Sequence, residues 1–267
     1  MTYITRFSLI TERHHPFPFD IPAVRFAKDV DLSAPVTCFV GENGMGKSTL
    51  LELLSLRLQL PHLDGTGYGG RGFVAARKLL PFLEITFASQ RTVGFFFRAE
   101  DFGDLLNSVD RQDQRLHAQL EELQGAVPDH IIAAMKDSAN HQLHRVRRDY
   151  GQELQGFSHG EAYLHILQQQ IRGPGIYLLD EPEAALSPAR QLALLLFMQE
   201  HLREHRSQFI IATHAPIIMA FPNARLYEIG PDGMEQKPLA ELEHYAFTKA
   251  FLAAPERFLR QLDRNDT

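Results

Sequence analysis

Scarcity is informative in this chain of 267 residues. It holds one cysteine, Cys38, and no tryptophan. A single thiol excludes an internal disulfide, and its position inside the apolar run VTCFV points to a small buried side chain rather than a redox centre. Long apolar runs are missing as well. The longest inside a helical pattern, LALLLFM (192–198), falls far short of the roughly 20 residues that cross a bilayer. The opening MTYITRFSLITERHH has no basic segment followed by an apolar core, so no secretory signal is expected and the chain is expected in the cytoplasm. Positive charge is in short supply too: 27 Lys and Arg stand against 33 Asp and Glu, a net charge of -6. That balance argues against a wholly basic nucleic-acid binder. The densest basic cluster, His144, Arg145, Arg147 and Arg148, reads first as a solvated helix face and second as a nucleic-acid backbone contact. The pair His14-His15 has neither carboxylate nor cysteine beside it and makes a poor start for a metal site. No internal repeat or low-complexity tract occurs.

What is present centres on GENGMGKSTLLELLS, residues 41–55. The spacing fits G-x-x-x-x-G-K-[ST] through Gly41, Gly46, Lys47 and Ser48. VTCFV before it reads as a buried strand and TLLELLSLRL after it as a helix. A strand, a glycine loop and a helix together make a phosphate-binding loop. Gly41, Glu42, Asn43, Gly44, Met45, Gly46, Lys47, Ser48 and Thr49 then form the nucleotide cradle, their backbone N–H groups turned inward at a helix N-terminus. Lys47 supplies a point charge for the β- and γ-phosphates, and Ser48 a hydroxyl for Mg²⁺. The expected cofactors are ATP and Mg²⁺. The loop does not encode the base, because it holds only phosphates. Tyr3, Phe7, Phe17 and Phe19 are possible base-stacking partners, with core packing as the commoner use of such residues.

Residues 1–40 read as short strands, YITRFSLI, VRFA and VTCFV, with a proline- and histidine-rich loop after the first. A glycine cluster over 61–75 reads as a loop, and LEITFAS and VGFFFRAE as two more strands. From Leu105 to about 155 the chain turns polar and helical, broken near Gly125 and Pro128. Beyond it, helix, strand, helix and strand alternate, which predicts a largely parallel sheet with helices on both faces. Three parts result: 1–104, an N-terminal β part with the phosphate-loop half of the core; 105–155, a helical lobe; and 156–267, the second half of the core with C-terminal helices.

That second half carries further chemistry. IYLLDEPE (176–183) is an apolar strand ending in carboxylates. Asp180 is placed to hold Mg²⁺, directly or through water, and Glu181 to orient and deprotonate the attacking water. FSHGEAYLH (157–165) sets Ser158 and Gly160 at a helix start, either as an ordinary cap or as an anion contact. EAALSP (183–188) follows the carboxylates, with Pro188 in a first helical turn. FIIATHAP (209–216) is a strand ending in His214, within reach of a γ-phosphate if it lies at the carboxyl edge of the sheet.

In this order, GENGMGKST, FSHGE, LLDEPE, AALS and ATHAP resemble the ABC-type ATPases. They look closer still to the soluble SMC- and RecF-like branch and its small stand-alone bacterial AAA-family ATPases, which also carry FFFRAE and a C-terminal HY…PERFL, here His244, Tyr245 and 255–259. The resemblance covers nearly the whole chain. It implies an α/β fold: a P-loop NTPase of ABC ATPase type, a largely parallel sheet flanked by helices, with an antiparallel N-terminal β part and an inserted helical lobe. It also implies an ATP-sandwich homodimer. Residues 41–49 and Asp180 of one subunit would hold Mg-ATP, and Ser158 and Gly160 of the other would close on the γ-phosphate. Residues 184–187 would lie at the interface, and His214 would sense the γ-phosphate. Two departures stand out. His159 replaces the signature's usual second glycine, and the metal-linked glutamine expected at the end of the strand after the phosphate-loop helix is replaced by Glu100, with Gln90 as the other candidate. The resemblance favours a nucleotide-gated clamp in nucleic-acid maintenance or defence. The alternatives are an ATPase subunit of a membrane transporter and a switch that binds a protein effector. DEPE, where transporter subunits usually continue with threonine or serine, and ATHAP weigh against the transporter.

Overall fold

In the computed structural model the described residues are 2–10, 16–62, 67–68, 73–89, 93–102 and 159–262. The helical lobe expected over 105–155 lies outside them, with its basic cluster, and so do His14, His15, Gln90 and Ser158.

Strand β1 (Ile4–Leu9) turns Ile4, Phe7 and Leu9 inward. The next element corrects the sequence reading: VRFA belongs to a helix, α1 (Pro22–Phe26), not to a strand. Pro22 presets the φ of the first helical turn. The turn buries Ala23 and Val24, and the Ala23 N–H donates to the Met45 carbonyl at 2.9 Å. α1 is thus a prop beneath the phosphate loop, and four residues of β-prone composition were too few to show a period. β2 (Val30–Asp31) and the fully buried β3 (Val36–Val40) follow, then the loop and α2 (Lys47–Leu58). The glycine cluster contains two short strands, β4 (Pro61–His62) and β5 (Gly67–Tyr68). α3 (Val74–Leu79) leads to β6 (Leu83–Phe87) and β7 (Gly94–Arg98). After the undescribed segment come α4 (His159–Gln170), β8 (Ile176–Asp180), α5 (Pro188–Glu204), β9 (Gln208–Thr213) and α6 (Pro216–Met219). The chain continues through β10 (Arg225–Ile229), β11 (Met234–Gln236), α7 (Glu243–Ala253) and α8 (Pro255–Leu262).

Two sheets result. A three-stranded antiparallel sheet has the order β2-β1-β6, which is the expected N-terminal β part. The larger sheet has the order β11-β10-β3-β9-β8-β7-β4-β5. Its strands from β10 to β4 are parallel, and only the edge strands β11 and β5 run against their neighbours. The inner strands are buried on both faces, as in a parallel sheet covered on two sides. Period-2 alternation sorts them between two cores. Phe39, Leu178 and Ile210 face a layer with Phe7, Leu50, Leu53 and Leu54, whereas Cys38, Leu179 and Ile211 face Tyr163, Ile166, Leu194 and Met198.

Gln208 joins the sheets. Its buried Oε1 accepts from the N–H groups of Tyr3 (2.9 Å) and Ile4 (3.1 Å). Its Nε2 donates to the carbonyls of Ile4 (2.9 Å) and Leu32 (2.6 Å). A buried amide with its donors and acceptor all matched fixes one relative placement. No helix among the described residues is long and apolar enough to cross a membrane.

Candidate functional site

Because the inner strands are parallel, their carboxyl ends meet at one edge, where ligands bind open α/β sheets. The register aligns Arg98 with Asp180 and Asp180 with Ala212, and places Val40 opposite Thr213. The loop after β3, the carboxylates after β8 and His214 after β9 therefore converge.

The loop is shaped by its glycines. Gly46 has φ +90°, and a Cβ there would come within 2.2 Å of Ile21 Cγ2. Gly41 has φ +152°, and a Cβ would sit 2.4 Å from the Ile229 carbonyl oxygen. Only glycine allows these close approaches without displacing a neighbour. Glu42, Asn43 and Gly44 form the exposed tip, whereas Met45 packs partly against the core. Lys47 is 4% exposed and donates to the carbonyls of Gly41 (2.7 Å) and Glu42 (2.9 Å). Burial lowers its pKa against the pull of Glu181, Asp180, Glu183 and Glu42. Thr49 follows, half-buried, in the first turn of α2.

Ser48 Oγ donates to Asp180 Oδ1 at 3.1 Å, which joins the loop to the carboxylate edge. Asp180 is 2% exposed, and burial pushes its carboxyl up to about 6 against the opposing effects of Arg98 and Ser48. A serine hydroxyl beside a carboxylate is a hard-oxygen pair suited to Mg²⁺. Among the described residues no group of three His, Cys, Asp or Glu could hold a metal on its own. Mg²⁺ commonly takes one or two protein carboxylate oxygens and completes its shell with phosphate and water. Both Asp180 oxygens have donors, the neutral Ser48 hydroxyl on one and the cationic Arg98 guanidinium on the other.

Glu181 follows with φ +50°, a left-handed conformation uncommon outside glycine. Its N–H donates to the Ala212 carbonyl at 2.9 Å, which holds the turn against β9. His214 Nδ1 lies 3.5 Å from Glu181 Oε1 and 3.6 Å from Glu183 Oε1. Sequence reasoning assigned Glu183 no role in the site, yet it organises this corner. Glu183 is 5% exposed, and its Oε1 accepts from Thr213 Oγ1 (2.6 Å), His214 N (2.9 Å) and Ala215 N (3.2 Å). One carboxylate oxygen thus fixes the whole turn that carries His214. The signal available in the sequence was the unusual DEPE itself.

The remaining site residues lie elsewhere. Gly160 is buried at the start of α4, where a Cβ would stand 2.7 Å from the Ala185 carbonyl oxygen and 2.8 Å from Arg190 Nη1. It therefore packs on the 184–187 loop of its own chain, reinforced by the Glu161–Arg190 pair at 2.8 Å. Glu100 is exposed in the 3₁₀ turn Ala99–Asp101, and the group from that strand end which touches Asp180 is Arg98. Phe7 is core, edge-on to Phe39 at 6.2 Å, and Phe19 packs edge-on to Phe82 at 5.1 Å; of the four aromatics weighed for the base, Phe17 is the exposed one.

The sequence model of the family described as ABC transporter matches residues 32–184, more than half of the chain. The chain belongs to the ABC transporter family, and as a member it is an ATPase. Among its relatives is the ABC transporter ATP-binding protein YtrE of Bacillus subtilis (strain 168), 29% identical over 198 residues, 70% of this chain and 78% of that one. The hemin import ATP-binding protein HmuV of Rhodopseudomonas palustris is 30% identical over 189 residues, 66% of this chain and 63% of HmuV. The phosphate import ATP-binding protein PstB 1 of Vibrio cholerae is 26% identical over 200 residues, 71% and 68% of the two chains.

These matches overturn the closer placement in the SMC- and RecF-like branch, and the AAA-type label and the role in nucleic-acid maintenance that depended on it go with it. The two features that weighed against the transporter, Glu183 of DEPE and the turn ATHAP, are partners in one set of hydrogen bonds.

Proposed function

We propose that this chain is the ATP-hydrolysing subunit of a membrane transporter, which binds Mg-ATP at residues 41–49 and is completed by a second copy of itself. The observation that carries the reading is the convergence of Lys47, Ser48, Asp180, Glu181 and His214 on one sheet edge inside the segment that matches the ABC transporter family. In this reading Lys47 leaves its loop carbonyls for the β- and γ-phosphates, and Ser48 and Asp180 would hold Mg²⁺, which would supply positive charge beside them. Glu181 accepts the proton of the attacking water, and His214 contacts the γ-phosphate. Gly160, together with Ser158, closes on the nucleotide of the opposite copy. A separate membrane-embedded subunit then converts closure and opening into transport. The relatives' names specify hemin, phosphate or no cargo at all, so no cargo is assigned.

The test is the molar mass of Glu181→Gln in solution, by light scattering, with and without Mg-ATP. A monomer that becomes a dimer only with Mg-ATP is expected. A monomer in both conditions, with ATP binding confirmed by calorimetry, would remove the homodimer, and copurification from membranes would then identify the subunit that completes the site. Recovery of the tagged chain with a cytosolic effector and no membrane subunit would overturn the transporter reading.

A further inference from the structure

We propose that Arg98 is a resident cation of the metal site: it bridges Asp180 and Glu52, and Mg²⁺ would displace it from Asp180 while it stays on Glu52. The proposal rests on the reading of Asp180 as the metal carboxylate.

Three facts converge on it. First, the register of β7 and β8 sets Arg98 directly opposite Asp180, so the contact is built into the sheet. Second, the two halves of the bridge are unequal. Arg98 Nε reaches Asp180 Oδ2 at 3.3 Å, a long contact, whereas its terminal nitrogen pairs closely with Glu52 on α2. The planar fork of arginine presents Nε and a terminal nitrogen to the two carboxylates from one rigid group. Third, the guanidinium has a place to remain after it lets go. Its carbon lies over the rings of Phe73 at 5.4 Å and Phe96 at 5.7 Å, and Glu52 keeps its charge paired. Release therefore costs one weak hydrogen bond, not the exposure of a buried charge. The competition is direct, because Ser48 and Arg98 between them occupy both Asp180 oxygens. The arrangement keeps the buried Asp180 compensated before metal arrives and makes metal entry a replacement of one cation by another.

The test is binding of Mn²⁺, as a stand-in for Mg²⁺, followed by loss of the free-ion electron paramagnetic resonance signal, on the full chain with ADP and again without nucleotide. Arg98→Met should lower the Mn²⁺ midpoint on the order of tenfold, as expected for loss of one charge-assisted competitor. Glu52→Gln removes the closely paired carboxylate, leaves the guanidinium with Asp180 and the charge of Asp101, and should raise the midpoint. In the double variant the Glu52 change should lose most of its effect, since no guanidinium remains to be held back. Equal midpoints in the wild type and the single variants, a raised midpoint in Arg98→Met, or equal effects of Glu52→Gln in both backgrounds would each overturn the proposal. Should Arg98→Met not fold, Glu52→Gln decides alone: an unchanged or lowered midpoint rejects it. Asp180→Asn separates the two levels. If it leaves Mn²⁺ binding unchanged, the metal reading of Asp180 fails and takes this inference with it. If it abolishes binding while the Arg98 and Glu52 variants change nothing, only the inference fails.

Discussion

The two halves of the proposed nucleotide site are joined by Ser48 to Asp180 and by Arg98 to Glu52, and are built of different material. The phosphate-loop half is made of backbone. Its form comes from glycines at positive φ, from α1 underneath it and from a lysine that folds onto the loop's own carbonyls. The other half is made of side chains reaching between elements: Glu183 to the turn after β9, and Arg98 to Asp180 and to α2. Backbone form of the first kind is local and depends on residue types at fixed spacing. A side-chain network of the second kind exists only once strands distant in sequence lie side by side. Changes in the first half should therefore weaken nucleotide binding most, and changes in the side-chain network around Glu183 should spare it and spoil its use.

The largest effect expected from this division is that of Lys47→Ala. It removes the charge proposed to meet the phosphates and should weaken ATP binding on the order of a hundredfold, measured by calorimetry. Affinity within a factor of two of wild type would remove Lys47 from the site. Gly46→Ala tests the same half through sterics. An L residue at φ +90° is strained, and its Cβ would collide with Ile21. A loss of about 1 kcal/mol or more in stability is expected, with weaker nucleotide binding. Adding Ile21→Ala removes the 2.2 Å collision but leaves a 3.1 Å approach to Ala23 Cβ and the backbone strain, so the melting temperature should recover only in part. Full recovery would mean that the dihedral angle does not matter there.

Glu183→Gln tests the other half. It keeps the shape and an acceptor oxygen but removes the charge that gathers Thr213, His214 and Ala215. Glu183 acts through His214 as a positioning residue, so the expected signature is a split: kcat about tenfold lower, with ATP affinity changed less than about twofold. Equal losses in both would show that the halves do not work separately.

How much of this was legible follows the same line. The loop, Asp180, Glu181, His214 and the parallel core could be read from GENGMGKST and from apolar strands that end in polar residues, because spacing and residue type suffice there. Glu183 and Arg98 could not be read, since their partners are 30 to 32 and 82 positions away and become neighbours only through the order β9-β8-β7. α1 was missed for another reason: its five residues carry too little periodicity to reveal a helix, and its purpose lies in contacts with Gly46 and Met45. β10, which closes the parallel sheet beside β3, announced itself by no motif.

The smallest expected effect concerns Cys38, which lies on β3 between the two halves. It is wholly buried, and burial, with Glu183 adding to it, pushes its thiol up to about 12. The thiolate is the reactive form, so iodoacetamide at pH 7.5 should leave the native chain unlabelled and label one site after denaturation, read by mass spectrometry. The informative sample is Glu183→Gln. Removing that carboxylate takes away the smaller of the two causes and leaves burial untouched, so this variant should also resist labelling. If Cys38 in Glu183→Gln were alkylated while the wild type was not, loss of the charge would have opened the strand that carries the phosphate loop. The two halves would then be mechanically one, and the split in kcat expected above should vanish in the same variant.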